Sequence, residues 1–395
     1  MFVKSSLSFD DTSVAFSHKS DKELQKMHLL FTAINNRFLT KTGTKMVKIA
    51  LKLKLPVQRI IKKTIYQQFC GGETLESCNN TIQKLSEYNI KAILDYAAEG
   101  LEKEETYDQA KAEKLTIIEK ASTSKALPFC VFKITSLGSF SLLEKLQSGK
   151  ELSSKDTADY QKIKERVDSI CKAAYEADVC ILIDAEESWI QEVIDEIAEE
   201  MMEKYNQQKT LVYNTYQMYQ RDAFTNLRKA FMRAATYRYH LGVKLVRGAY
   251  MEKERERARE MNYPDPIQPE RDATDDDYNK ALLYCLNNKQ RISVFAGSHN
   301  EYSNYYLTLL MEKHGMAPND PRVYFSQLYG MSDNISFNLA LAGYNVAKYV
   351  PYGPIDAVLP YLFRRAEENT SVAGQSSREL NLIKKEIQRR KQKNH

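Results

Sequence analysis

Two neighbouring arginines, Arg364 and Arg365, are the residues whose type and spacing point most directly to chemistry. Adjacent guanidinium forks can grip a carboxylate through bidentate, charge-assisted hydrogen bonds. On a helix beginning near Ile355 they share a face with Tyr361 and Glu368, by i, i+3, i+4 and i+7 spacing. Glu368 would orient Arg364 from one turn further on. A surface ladder of ion pairs, common and weak, accounts for the same spacing.

The other candidates sit at the ends of short apolar, β-branched runs. These runs cover residues 90–95, 129–135, 179–184, 210–215, 242–247, 291–296, 322–327 and 344–349. The first ends at Asp95, with Glu99 just beyond, and the second carries Lys133. The third ends in Asp184, Ala185, Glu186 and Glu187, and the fourth carries Asn214. The fifth holds Lys244 and runs through Arg247, Gly248 and Ala249 to Tyr250. Ser298, His299 and Asn300 follow the sixth, Leu328 to Met331 follow the seventh, and Tyr349 ends the eighth. Singly, a polar residue at a strand end marks where the chain meets water. Eight polar ends converging on one mouth, with both signs of charge, suit a zwitterion.

What would make them converge is the alternation of these runs with longer amphipathic stretches, such as 156–177, 188–207 and 220–241. Eight β-α units predict an α/β fold, a distorted (β/α)8 barrel with its chemistry at the C-terminal strand ends. A doubly wound open sheet is the structural alternative. The expected organisation is a basic, mainly helical N-terminal region over 1–88, the barrel over 89–380, and a basic helical tail over 381–395. From 24 to 72 there is no Asp or Glu. Within that span, 46–61 fits a strand or a helix equally well until Pro56 interrupts it. Such a basic amphipathic segment either lies on an anionic lipid surface or forms a charged helical layer packed on the barrel.

Composition narrows the class. A chain of 395 residues with 43% hydrophobic residues can bury a large core, which excludes wholesale disorder. Six Cys without a C-x-x-C pair read as reduced thiols, neither a disulfide scaffold nor a metal site. A net charge of +5 is too weak to argue for nucleic acid. No apolar run reaches the roughly 20 residues that cross a bilayer, and the start carries neither a secretory nor a transit pattern. A cytoplasmic protein is expected, peripheral on the inner face of the membrane if the basic segment docks there. No dinucleotide or P-loop glycine motif is present, so NAD is not expected.

Several of these residues lie in longer motifs. Residues 244–250 (KLVRGAY), 298–300 (SHN) and 361–369 (YLFRRAEEN) together resemble proline dehydrogenase, with support from 69–74 (FCGGET), 93–96 (ILDY) and 328–331 (LYGM). The resemblance runs from about Tyr66 to the end of the barrel and is closest to the monofunctional, eukaryote-like branch, since Lys244 replaces the Arg of the bifunctional forms. It implies a distorted barrel with noncovalent FAD at its mouth. The implied reaction oxidises L-proline to Δ1-pyrroline-5-carboxylate, with hydride passing from C5 to flavin N5.

Carried over by position, the resemblance gives Arg364 and Arg365 the substrate carboxylate, with Glu368 beside them. Lys133, Asp184 and Glu99 become the charged floor, and Leu328, Tyr349 and Tyr361 the apolar walls. Lys244 lies at the flavin edge. Arg247, Gly248 and Ala249 hold its phosphate or ribityl region, Ala185 and Asn214 meet the ring, and Ser298, His299 and Asn300 contact the remainder. The family has Thr at position 298 and often Gln at 214. Asp184 and Lys244 are the expected catalytic pair. The partners implied are a membrane quinone or other electron acceptor, and a separate pyrroline-5-carboxylate dehydrogenase. Hydroxyproline dehydrogenase is the nearest alternative, disfavoured by the bulk of Tyr349. A flavin-free lyase using Lys133 or Lys244 as a Schiff base, and a binding protein on a degenerate barrel, are the others.

Overall fold

The computed structural model describes residues 7–36, 42–43, 46–47, 53, 56–97, 103–371 and 375–393. Eight parallel strands close into a barrel in sequence order. They are β1 (Ile90–Tyr96), β2 (Phe129–Phe132), β3 (Cys180–Ile183), β4 (Val212–Gln217), β5 (Leu241–Val246), β6 (Ile292–Gly297), β7 (Val323–Leu328) and β8 (Val346–Tyr352). The helices that bear on the site are α1 (Asp21–Asn35), α2 (Ser154–Ala177), α3 (Ser188–Tyr205), α4 (Arg271–Asn287), α5 (Glu301–Lys313), α6 (Asp333–Leu341), α7 (Ile355–Ser371) and α8 (Gln375–Lys393). The expected alternation is thus present and the open sheet is excluded. Among the described residues, no helix is long and apolar enough to cross a membrane.

The chain divides into two compact units, 100–326 and 1–99 with 327–395. In the first, strand sequences such as Cys180-Ile181-Leu182-Ile183 are apolar and largely buried, as parallel strands covered by helices must be. Rings from non-adjacent strands meet inside the barrel: Phe129 of β2 contacts Tyr213, Phe295 and Tyr324 edge-on at 5.9, 5.1 and 4.8 Å. Phe129, Tyr213 and Tyr324 lie at the N-terminal ends of their strands and Phe295 lies mid-strand. Helix α2 starts where Ser153 and Asp156 form a reciprocal cap and stops at Asp178, which takes a left-handed turn.

In the second unit, α1 opens on a capping box between Ser20 and Glu23 and buries Leu24, Met27, Phe31 and Ile34. These pack with Phe69, Leu362 and Ile383 into one core. Of the basic segment, residues 58–69 form a short helix that passes through a π-turn, burying Ile61 and Tyr66. The described parts of 24–72 thus form a packed helical layer, while Leu29, Met46, Leu53 and Ile60 remain exposed. Most of 46–55, with its ambiguous period, lies outside the described residues. The tail is a helix, as expected, but α8 is seated: Leu380, Leu382 and Ile383 are buried.

The loop after residue 69 is stapled to the exit of β8. Gly71 N–H donates to Pro351 O at 2.8 Å, Gly353 N–H to Gly72 O at 3.0 Å, and Tyr66 OH to Gly353 O at 2.9 Å. Gln68 Nε2 donates to Gly330 O at 2.8 Å. Gly330 has φ +78°, and a Cβ there would stand 2.0 Å from Gln68 O, so glycine is required.

Candidate active site

In the 100–326 unit, the C-terminal strand ends hold two charge clusters. At the first, Lys244 of β5 forms an ion pair with Asp184, which follows β3. Both side chains are largely buried, at 8% and 15% exposure, so each charge depends on the other. Asp184 N–H also donates to Phe132 O at 2.9 Å, which fixes the end of β3 against β2. Half-buried Lys133 begins the turn that follows β2, and its carbonyl accepts Ser136 Oγ at 2.6 Å.

Glu186, two residues beyond Asp184, accepts from Thr135 N–H at 3.0 Å and from the Thr135 hydroxyl. Burial pushes its carboxyl up to about 7, against the pull of Lys133 and Thr135. The Glu186 carbonyl accepts Gln217 Nε2 at 2.7 Å, and Gln217 Oε1 accepts Ala249 N–H at 3.1 Å. The ends of β2, β3, β4 and β5 are therefore tied into one hydrogen-bonded girdle. Gly248 has φ +142° and a Cβ there would strike the Tyr219 ring at 2.4 Å, so the turn that offers Ala249 needs glycine.

The second cluster surrounds Arg247. Its Nε meets Asp275 Oδ1 of α4 at 2.5 Å, and its Nη atoms donate to Ser298 Oγ at 2.7 Å and Ser303 Oγ at 3.0 Å. The guanidinium lies over Tyr278 at 4.5 Å. Asn300 caps α5 by accepting Ser303 N–H at 3.1 Å, and Ser298 Oγ accepts Asn300 N–H at 3.1 Å. Half-buried His299 lies between them. A helix N-terminus with an arginine fixed beside it suits a phosphate. These residues fit the expected flavin, as does the backbone donor set at Gly248 and Ala249.

Asn214 does not reach the strand end. The sequence pattern ends the fourth strand at residue 215, but β4 continues to Gln217. Asn214 points to the helix layer, where its Nδ2 donates to Asp195 Oδ1 of α3 at 2.8 Å and its Oδ1 accepts Thr215 N–H at 2.9 Å. Gln217, three residues on and on the opposite face, takes the place at the strand end. Ala185 lines a small cavity of about 20 Å³ with Gln191, Asp195, Thr215 and Gln217. Burial raises the Asp195 carboxyl to about 7, against donors from Asn214 and Gln191.

In the other unit, Leu328 and Tyr361 both pack against the apolar core. Tyr329 N–H donates to Tyr349 O at 2.9 Å, which joins the ends of β7 and β8. Arg365 stacks on Tyr361 one turn earlier at 5.4 Å, while Arg364 is exposed. Helix α7 starts at Ile355, so the predicted spacing holds and Glu368 lies on the same helix. Glu99 lies outside the described residues.

The site residues missed from sequence are Glu186, Gln217, Tyr250 and Asp275. Glu186 stands at the end of the third run and Tyr250 at the end of 244–250, but neither had a signal separating it from its neighbours. Burial raises the Tyr250 hydroxyl to about 12, opposed by the charge of Lys133. Asp275 is 28 residues from Arg247, with nothing local to pair them.

The family model described as "Proline dehydrogenase" matches residues 78–378. The chain is 33% identical to "Proline dehydrogenase 1, mitochondrial" of Dictyostelium discoideum, over 96% of this chain and 74% of that protein. It is 32% identical to "Hydroxyproline dehydrogenase" of Xenopus laevis, over 98% of this chain and 91% of that protein. Among solved structures, proline utilization A from Bdellovibrio bacteriovorus, inactivated by N-propargylglycine, aligns with a TM-score of 0.72 at 20% identity. That alignment covers 94% of this chain but 40% of the longer one, and at this identity it supports the fold alone.

The protonation of Asp195 has a measurable sign. Its carboxyl keeps a proton when folded that it loses when unfolded, so its contribution to stability is full below its ordinary range and fades as pH rises through about 7. The thermal midpoint of the protein relative to an Asp195→Asn variant should therefore fall between pH 5 and pH 8, by about 2–4 °C. A difference that stays constant or grows with pH would show that Asp195 is ionised in the fold.

Proposed function

Because the chain belongs to the proline dehydrogenase family, we propose that it oxidises L-proline to Δ1-pyrroline-5-carboxylate with FAD held at the C-terminal strand ends. The observation that carries the reading is the arginine pair on α7, the helix that follows β8, with Arg365 braced on Tyr361. The pair offers two forks to one carboxylate.

The substrate loses a hydride from C5 and a proton from its nitrogen, leaving a C=N bond. The flavin, when bound, supplies the acceptor for that hydride. Arg247, Gly248, Ala249, Ser298, His299 and Asn300 would hold it, with Lys244 and Ala185 towards its ring. Asn214 would act on it only indirectly, through the β4 backbone and Asp195. Lys244 places a positive charge at the mouth, partly balanced by Asp184, which favours a cofactor that gains negative charge.

On the substrate side, Arg364 and Arg365 are assigned the carboxylate, and Lys133 and Asp184 the charged floor. Leu328, Tyr349 and Tyr361 are assigned to the walls around the ring. This holds the C5 hydrogen towards the acceptor. The nitrogen must be neutral when hydride leaves, and its proton passes to solvent.

The similarity to a hydroxyproline dehydrogenase over nearly the whole chain gives a second reading, the same chemistry on trans-4-hydroxyproline. The bulk of Tyr349 favours proline. A quinone would take the electrons onward, and a separate pyrroline-5-carboxylate dehydrogenase would consume the product. Docking to a quinone-bearing membrane falls to the basic N-terminal surface, where Arg59, Ile60 and Lys63 are exposed. The name of the Dictyostelium discoideum relative places that protein in mitochondria, whereas a cytoplasmic location is proposed for this chain.

With a soluble dye as acceptor, L-proline should yield a product two hydrogens lighter by mass. The rate of substrate oxidation should rise from pH 6 to pH 9 as the amine deprotonates. Arg364→Met and Arg365→Met should each raise the KM for proline by about 10- to 100-fold while flavin remains bound. Unchanged KM in both variants would remove the arginines from the substrate site.

Removing residues 1–66 would strip Phe31 and Tyr66 from the core, so charge reversal is the better probe of the membrane. An Arg59→Glu, Lys63→Glu double variant should bind anionic vesicles more weakly and keep its dye-linked activity. Equal vesicle binding by the variant and the parent protein would exclude this surface.

A further inference from the structure

Lys348 sits in the middle of β8 with no exposed surface. Its ammonium meets Asp333 Oδ1 at 2.8 Å, donates to Met331 O, and reaches Leu328 O at 3.4 Å. Leu328 and Met331 are the first and last residues of the turn that leaves β7. That turn is demanding: Gly330 and Ser332 both have positive φ, +78° and +51°. A buried amine serving two carbonyls of one turn holds it in a shape the backbone would otherwise resist.

The cation is held in place from outside the barrel. His18 Nε2 lies 3.4 Å from Asp333 Oδ2, and its ring stacks on Phe337 at 4.0 Å. Around it, Asn334 Nδ2 donates to Phe9 O at 3.1 Å and Asn338 Nδ2 to Asp11 O at 3.2 Å. The N-terminal stretch is thereby laid on the buried face of α6. From the other side, Glu379 of α8 accepts Ser332 N–H. Burial would raise the Asp333 carboxyl, but Lys348 and His18 hold it well below the usual carboxylate range.

We propose that Lys348 is a positioning residue: by gripping the carbonyls of Leu328 and Met331, with Asp333 and His18 behind it, it sets the substrate wall. This rests on the reading of Leu328 as a wall of the proline site. The N-terminal stretch and α8 then act on substrate affinity without touching substrate. A loosened wall costs ring fit more than it costs the hydride step, so KM and substrate choice should move more than kcat.

The test is dye-linked kinetics with L-proline and trans-4-hydroxyproline on holoenzyme, with thermal midpoints measured in parallel. Lys348→Met should raise the proline KM about tenfold, lower the preference for proline, and lower the midpoint by leaving buried Asp333 with His18 alone against it. Adding Asp333→Asn removes the stranded charge and should recover part of the midpoint while KM stays raised. His18→Gln should raise KM a few-fold. If KM returns with the midpoint in the double variant, or never moves, Lys348 only stabilises the fold and the proposal is wrong. If the double variant binds no flavin, His18→Gln decides: an unchanged KM overturns the proposal. A wild-type protein inactive on both substrates would instead refute the proline reading.

Discussion

A cation withdrawn from water survives only where an opposite charge or a set of oxygens meets it, and on or beside the strands this governs buried Lys244 and Lys348 and half-buried Arg247. Lys244 has Asp184, Arg247 has Asp275, and Lys348 has Asp333. Each aspartate comes from a different element than its cation: one follows β3, one lies on α4 and one begins α6. The pairs therefore fix strand ends and helices relative to one another within each unit. The aromatic cluster of Phe129, Tyr213, Phe295 and Tyr324 fills the barrel interior from the strand starts to mid-strand.

The pairs differ in consequence. Arg247 shares its donors among Asp275, Ser298 and Ser303, so the N-terminus of α5 is organised before any phosphate arrives. The Lys244 and Asp184 pair is the more secluded and sits beside the girdle of Glu186, Gln217 and Ala249. That girdle runs from the turn after Lys133 to the turn that offers Ala249. Residues assigned to substrate and residues assigned to cofactor thus share one set of hydrogen bonds. A shift in either is transmitted through backbone carbonyls and amides, which have little freedom to absorb it.

The barrel was legible because eight apolar runs alternated with amphipathic stretches at helix length. The spacing of Tyr361, Arg364, Arg365 and Glu368 was legible because a helix fixes it locally. Asn214 was expected at the flavin ring by resemblance, but strand alternation turns it to the helix layer, where it meets Asp195. Gln217 was passed over because the sequence pattern ended that strand at residue 215. Asp275 and Asp333 could not be paired with their cations from sequence, since such pairs are made by the closed fold and not by neighbours. Lys348 stands as a lone charge in an apolar strand; its partner Asp333 opens the helix before that strand, and His18 behind Asp333 lies near the other end of the chain. The seating of α1 against α8 is equally long-range.

The central claim is that this barrel carries a flavin reduced by L-proline, and the most direct measurement is an absorbance titration of the purified protein without oxygen. The account predicts a visible flavin band that bleaches on addition of L-proline, and more readily than with trans-4-hydroxyproline. A band bleached by hydroxyproline alone would transfer the activity to the sister substrate and mean that Tyr349 does not exclude the 4-hydroxyl. A colourless protein that cannot be reconstituted with FAD would contradict the account, leaving the barrel without its chemistry.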